Sequence, residues 1–179
     1  MKRTALVSAV LLGTLMSSCK KETKTTTPPP AGGTLGTLTA ENYGFDGGRS
    51  GKFSSTKAGF TQQSAAGVST FMISAIRDGG SESITIVLLH AVKDTGVYQI
   101  GSDYDNGGIE IMKDYTKPGD LTQTYSTDND GNTMHGGGEI RITKVDGSNV
   151  EGTFYAVGFN SAGKESFAEQ GSFKGTISK

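Results

Sequence analysis

The stretch ITKVDGSNVEGTFYAVGF, residues 142–159, decides the fold. It contains two runs of β-favouring residues on either side of Asp146 and Gly147. An Asp-Gly pair readily adopts the positive φ angles of a tight hairpin turn, so the two runs are predicted to pair as antiparallel strands. A second reversal of the chain is predicted at the loop NSAGKE, 160–165, which leads to the strand-like run GSFKGTIS, 171–178. In that last run apolar and polar residues alternate, as in a strand with one buried face.

Similar runs lie upstream. The segment ITIVLLHAV, 84–92, is a continuous apolar stretch, which predicts a central strand covered on both faces. His90 continues the apolar face of this strand, so we expect it to be partly buried and hydrogen-bonded. The Gly-rich turn RDGGSES before it predicts a hairpin with residues 70–77. Further strands are predicted at residues 96–100, 109–113, 121–126, 138–145, 150–159 and 172–177.

The composition agrees with a fold made of strands and turns. The chain has 179 residues with 27 glycines, 4 prolines and no tryptophan. Glycine weakens helix interiors and supplies the positive φ angles of turns, and no segment shows a convincing helical stripe. We therefore predict an all-β domain, either an antiparallel β-sandwich or an up-and-down β-barrel.

The N-terminus has the features of a bacterial lipoprotein signal. Lys2 and Arg3 precede an uncharged apolar stretch at residues 5–15, which is too short to span a bilayer. Two serines then stand directly before Cys19, the only cysteine of the chain. This arrangement resembles a lipobox, in which the cysteine is lipidated and becomes the new N-terminus after cleavage. The prediction is a signal peptide at residues 1–18 and lipidation of Cys19.

The residues that follow Cys19 are predicted to form a tether. Residues 19–38 are rich in lysine, threonine and proline, a composition that cannot bury a core. The β domain is then expected to cover residues 39–179. Of the 17 basic residues five precede residue 39, and of the 18 acidic residues only Glu22 does, so the domain is mildly acidic. Nucleic acid binding needs clustered lysine and arginine, and we exclude that class.

A family resemblance rests on these segments together. SSCKKE, the Thr/Pro tether, DTGVYQIG at residues 94–101 and the run from GGEIRITKV to GSFKGTI at residues 137–177 resemble small Bacteroidota-type lipoproteins with a C-terminal all-β domain of unknown function. The resemblance implies a lipid anchor in the outer membrane and an all-β fold. It brings no catalytic residues. Both the periplasmic face and the cell surface stay open.

The sequence offers weak support for a catalytic or metal site. The two histidines are 45 residues apart, no His/Cys cluster has metal-ligand spacing, and no G-x-S-x-G motif marks a hydrolase. The loop STDNDGN, 126–132, matches half of a calcium loop and is interpreted as a turn held by Asp and Asn side chains. No cofactor or metal is expected. The candidate binding residues lie in the polar loops and are Asp103, Tyr104, Asp105, Tyr115, Asp128 and Asp130.

Three functions follow from these features. The first is a non-enzymatic envelope lipoprotein whose domain has a structural role or binds an envelope protein or a glycan. The second is a lipocalin-like carrier of a small apolar ligand inside a barrel, and the third is a hydrolase. An apolar cavity would favour the carrier, and a buried carboxylate beside His90 in a cleft would favour the hydrolase.

The lipobox interpretation makes a direct prediction. Replacing Cys19 with serine should leave the chain without its acyl groups and release it from the membrane fraction, because the acyl chains supply the membrane affinity. Metabolic labelling with palmitate and fractionation of cells would measure both effects. Unchanged labelling in the Cys19→Ser variant would contradict the interpretation.

Overall fold

The computed structural model describes residues 35–178. The predicted signal peptide, Cys19 and the predicted tether up to residue 34 lie outside these residues. The described part contains no helix long and apolar enough to span a bilayer. Ten strands form the fold: β1 Gly36–Phe45, β2 Gly48–Ala65, β3 Val68–Ile76, β4 Ser83–Leu88, β5 Gly96–Ile100, β6 Gly107–Met112, β7 Thr124–Ser126, β8 Gly137–Asp146, β9 Asn149–Phe159 and β10 Glu165–Thr176.

These strands form an antiparallel sheet that closes on itself. The order around the barrel is β10-β1-β2-β3-β4-β6-β7-β9, and the pairing of β9 with β10 completes the ring. Strands β8 and β5 extend the sheet from β9 outside this ring. The all-β, antiparallel prediction is confirmed, and of its two forms the barrel is the one observed.

The hairpin predicted from residues 142–159 is confirmed. Strands β8 and β9 pair up to Asp146 and Asn149, and Gly147 in the turn has a φ of 61°. The return to β10 is also present, from the pair Phe159 and Glu165 onward. In the last run Phe173 and Ile177 are buried, as the alternation predicted.

Strands β1 and β2 were not predicted, for identifiable reasons. Strand β1 begins at Gly36, so its first three residues belong to the segment 19–38 that was predicted to be the tether. Strand β2 is long and rich in serine, lysine and glutamine, and register shifts interrupt its pairing with β1. Its buried residues, Phe53, Ser55, Ala58 and Phe60, therefore do not follow a simple alternation that would show in the sequence.

The prediction for residues 84–92 needs correction. Strand β4 ends at Leu88, and the Leu89 amide then donates to the Asn106 carbonyl oxygen at 2.8 Å as the chain leaves the sheet. The outer face of β4 is only half covered, since a barrel wall has one face in solvent. His90 is exposed, so its predicted burial is wrong. Its predicted hydrogen bond is present, between Nε2 and Asn106 Oδ1 at 3.1 Å.

Side chains fill the interior of the barrel. The inward-facing residues of the strands form one contiguous apolar core. Several phenylalanine rings in this core pack against glycine backbones on other strands. Phe60 lies against Gly36 and Gly175, and Phe173 lies against Gly152. A β-carbon on any of these glycines would come closer than 3.0 Å to the ring. The glycines thus provide the space that the rings occupy.

One end of the barrel is tied by a polar and aromatic cluster. Lys113, directly after β6, forms an ion pair with Asp46 in the β1–β2 turn, with 2.6 Å between Nζ and Oδ2. The Tyr125 hydroxyl donates to the other Asp46 oxygen at 3.1 Å, and the Lys113 ammonium lies 5.1 Å from the centre of the Phe45 ring. The hydrogen bond from Lys113 holds the pKa of Asp46 below its ordinary value. This cluster joins β1, β6 and β7.

The glycine and phenylalanine packing can be tested by substitution. A β-carbon at Gly152 would meet both the Phe173 ring and the Arg141 carbonyl oxygen, so Gly152→Ala should lower the free energy of unfolding by about 1–3 kcal/mol. Gly119→Ala is the matched control, because a β-carbon there meets no atom within 4 Å. Thermal or urea unfolding would measure both variants, and equal stability of the two would contradict the packing account.

Candidate functional site

A concave surface lies outside the barrel, across β4, β6 and β7. Two neighbouring depressions of about 620 and 610 Å³ meet there and share Glu110 and Ser126. We call the combined surface the outer groove. Its lining includes Thr85, Val87, Leu89, Tyr104, Asp105, Gly108, Glu110, Leu121, Ser126, Asp128, Asn129, Asp130, Asn132 and Asn160.

Glu110 lies at the centre of the outer groove. It stands between Ile109 and Ile111 on β6, and because these two point into the core, the glutamate points outward. Its cross-strand neighbours are Thr85 on β4 and Ser126 on β7. The side chain is half-buried, and burial raises the pKa of its carboxyl group. Among residues 35–178 no hydrogen-bond or ion-pair partner is found for this carboxylate.

A second carboxylate lies beside it. Both carboxylate oxygens of Asp128 would be within about 3 Å of a β-carbon at Gly108, so the group lies directly over this glycine. Residues two apart on a strand are separated by about 7 Å, which makes Asp128 and Glu110 neighbours along the outer groove. Burial also raises the pKa of Asp128, and its hydrogen bond with Thr127 opposes this effect. Asp128 is more exposed than Glu110, so solvent screens it more.

Amide side chains fix the rim of the outer groove. Asn129 Nδ2 donates to the Phe159 carbonyl oxygen at 2.9 Å, which ties the β7–β8 loop to the end of β9. Asn160 Oδ1 accepts from the backbone amides of residues 162 and 164, and its Nδ2 donates to the Thr122 carbonyl oxygen at 2.6 Å. These amides hold the loops in place.

The lining of the outer groove is acidic with an apolar rim. It includes the carboxylates of Asp105, Glu110, Asp128 and Asp130, and no lysine or arginine is among the residues that line either depression. Large apolar side chains stand exposed at its edges, with Tyr104 50% exposed and Leu121 63% exposed. The surface therefore combines negative charge with apolar area that water contacts.

The structure brings together four of the six residues predicted for binding. Tyr104 and Asp105 line the same depression as Asp128, and Asp130 lines the neighbouring one. Asp103 is exposed in the same loop as Tyr104 but outside the lining. Tyr115 lies elsewhere, where its amide donates to the Ser81 carbonyl oxygen at 2.9 Å. That these residues bind a partner stays a prediction.

The central residue of the outer groove was not found by sequence reasoning. Glu110 sits in GGIEIM, where a charged residue between two isoleucines is what any half-exposed strand would show. Its neighbours come from β4 and β7, and nothing in the sequence states that these strands flank β6. Leu121 and Asn132 were missed for the same reason, because they meet only in the folded barrel.

The histidines and acidic residues were also compared with the geometry of metal sites. In residues 35–178 no three His, Cys, Asp or Glu side chains come together so that they could hold a metal ion. His135 Nδ1 pairs with Asp130 Oδ1 at 3.0 Å, and the His135 side chain is largely exposed. His90 stacks on the Tyr98 ring, with 5.8 Å between the ring centres.

Comparisons with known proteins identify one family. A family model described as "Domain of unknown function (DUF6252)" matches residues 44–176, from the end of β1 to the last residue of β10. No curated protein matches the chain. No solved structure matches it either.

The raised pKa of Glu110 leads to a prediction about stability. A carboxyl whose pKa is higher in the folded than in the unfolded state binds more protons when folded, so the free energy of unfolding falls as pH rises through that interval. Glu110→Gln removes the buried charge and should raise the melting temperature at pH 7, and the gain should vanish near pH 3, where both states are protonated.

The control for this prediction is Asp103→Asn, which removes one negative charge outside the outer groove. Its free energy of unfolding should change by no more than about 0.5 kcal/mol. Melting curves of both variants from acid to neutral pH provide the measurement. A Glu110→Gln variant that is less stable than the wild type at pH 7 would show that the carboxylate has a stabilising partner.

Proposed function

The chain belongs to the DUF6252 family, and we propose that it is a lipid-anchored envelope protein whose barrel binds a partner through the outer groove without catalysing a reaction. The observation that carries this proposal is the outer groove itself. It combines concave shape, exposed apolar side chains and a half-buried carboxylate with no partner among the described residues. Polar groups and exposed apolar side chains that converge in one concavity are typical of binding sites.

The filled interior supports binding on the outside. An eight-stranded barrel has room either for its own side chains or for one small ligand. Here the core residues of the strands form one cluster, and the ring centres of Phe60 on β2 and Phe173 on β10 lie 6.3 Å apart. A lipocalin-like carrier would need that space for its ligand. The packing therefore does not favour the carrier hypothesis.

The anchor is proposed from the N-terminal sequence. Cys19 follows an apolar stretch and two serines, and about fifteen residues separate it from Leu35, where the described domain begins. In this proposal the acyl groups hold the chain at the outer membrane, and the intervening residues let the barrel stand away from the lipid surface. The partner would then be an envelope protein or a glycan, on the periplasmic face or at the cell surface.

The surroundings of His90 support a role in binding rather than hydrolysis. A catalytic histidine of a hydrolase is oriented by a carboxylate and faces a nucleophile. His90 contacts the Asn106 amide and the Tyr98 ring on an exposed surface. Glu110 and Asp128 lie beside each other in the outer groove, whereas His90 does not line it and His135 contacts only Asp130 at its edge.

The proposal is tested by removing the apolar rim. Tyr104→Ser combined with Leu121→Ser should weaken binding of the partner by about tenfold or more, since buried aromatic and aliphatic anchors provide much of the affinity of an interface. The matched control is Val68→Ser combined with Tyr155→Ser, which removes two side chains that are exposed to similar degrees elsewhere on the barrel.

Hydrogen exchange of the mature protein, with separated protein and polysaccharide fractions of the envelope, would provide the measurement. Protection is expected in the peptides that cover residues 101–110 and 124–132, with no substrate consumed. Protection that survives the double substitution in the outer groove, or that is lost in the control pair, would contradict the proposal. Turnover of any fraction component would contradict its non-enzymatic part.

A further inference from the structure

We infer that the outer groove receives a lysine or arginine side chain, and that the partner is an envelope protein which presents a basic segment. The inference rests on the proposed binding function and names the chemical class of the partner. It is argued from the charge of the lining, from Glu110 and from the rim.

The charge of the lining excludes anionic partners. Four carboxylates line the outer groove, and no lysine or arginine is among the lining residues. Asp130 Oδ1 lies 3.0 Å from His135 Nδ1, whereas Asp105, Glu110 and Asp128 contact no cation among the described residues. A phosphate or an acidic peptide would meet like charge here, which is strongly unfavourable across an interface.

Glu110 has no cation beside it, in contrast to three other carboxylates of the barrel. Asp46 has Lys113 at 2.6 Å, Glu82 has Arg77 at 2.8 Å and Glu139 has Arg141 at 3.0 Å. Glu110 is half-buried on the outer face and has no such cation in residues 35–178. A half-buried carboxylate without a partner carries an uncompensated desolvation cost. A cation supplied by another molecule would offset that cost.

The surroundings of Glu110 match the shape of a basic side chain. Gly108 has no β-carbon, and the Asp128 carboxylate lies over it, so Asp128 and Glu110 offer two acceptors on the same outer face of β6. The exposed Tyr104 ring at the rim can lie against an ammonium or guanidinium group. Leu89 and Leu121 can pack against its aliphatic stem. Together these residues form a site for one long cationic side chain.

The test uses mature protein in an uncharged detergent and probes with blocked termini. The probes are tetra-lysine, tetra-arginine and tetra-glutamate peptides, with cellohexaose as the neutral sugar. We expect the two basic peptides to bind and the acidic peptide and the sugar not to bind. Raising the salt from roughly 50 to 300 mM should weaken binding several-fold, since salt screens the charges.

Two variants locate the site and one controls for net charge. Glu110→Gln and Asp128→Asn should each weaken binding of the basic peptides, by about tenfold for Glu110→Gln, because each removes an acceptor for the cation. Asp94→Asn removes the same charge at an exposed position that does not line the outer groove, and it should bind within twofold of the wild type. Melting curves show whether each variant is folded.

The affinity of the wild type for the basic peptides should also fall as pH is lowered and Glu110 takes up a proton.

Each alternative result is distinct. Equal binding of the basic peptides by all three variants would mean attraction to an acidic surface in general, and it would overturn the inference. Binding of cellohexaose in place of the peptides, lost in Glu110→Gln, would overturn the basic partner and leave the proposed function standing. If no probe binds, the inference that the partner supplies a basic side chain is wrong. The combined Tyr104→Ser and Leu121→Ser variant then still tests the proposed function separately.

Discussion

The packing of phenylalanine rings onto glycine backbones is the constraint on which the rest of this barrel depends. The large rings of the core lie over the backbone of other strands, and a glycine at these points leaves room for the ring. Gly36 and Gly175 make room for Phe60, and Gly152 makes room for Phe173. The filled interior supports the proposed function, in which a partner binds on the outside of the wall.

The outer face of the barrel has the features expected of a site whose residues lower the stability of the fold. Thr85, Glu110 and Ser126 form a row across β4, β6 and β7, and the half-buried central carboxylate of that row has no partner among residues 35–178. A neutral residue would suit a half-buried strand position better. Uncompensated polar groups of this kind are concentrated at functional sites, where binding provides the missing partner. The filled core and the Asp46–Lys113 ion pair supply the rigidity that such a site needs.

The sequence predicts those parts of the fold that are local. The β8–β9 hairpin follows from the residues around Asp146 and Gly147, and the alternation in β10 predicts the burial of Phe173 and Ile177. Strand β2 could not be predicted, because bulges break its alternation and its partner β1 lies partly in a segment that reads as a tether. The burial of His90 was predicted wrongly because the apolar run in the sequence continues past Leu88. The strand ends there, and the Leu89 amide donates to the Asn106 carbonyl oxygen.

The outer groove could be predicted only in part. Loop composition pointed to Tyr104, Asp105, Asp128 and Asp130, since polar loops with tyrosine are often exposed. Which of these loops lie together depends on the order of strands in the barrel. Glu110 needs that order too, because only the placement of β4 and β7 on either side of β6 surrounds its carboxylate.

The most direct test of this account is a titration of the Glu110 side-chain carboxyl by carbon NMR in the folded protein without a partner. Burial without a cation predicts a pKa above that of an exposed glutamate, and addition of a basic peptide should lower it. A pKa at or below the ordinary value in the free protein would show that Glu110 is already solvated or paired. The outer groove would then lose the unsatisfied charge on which its proposed role depends.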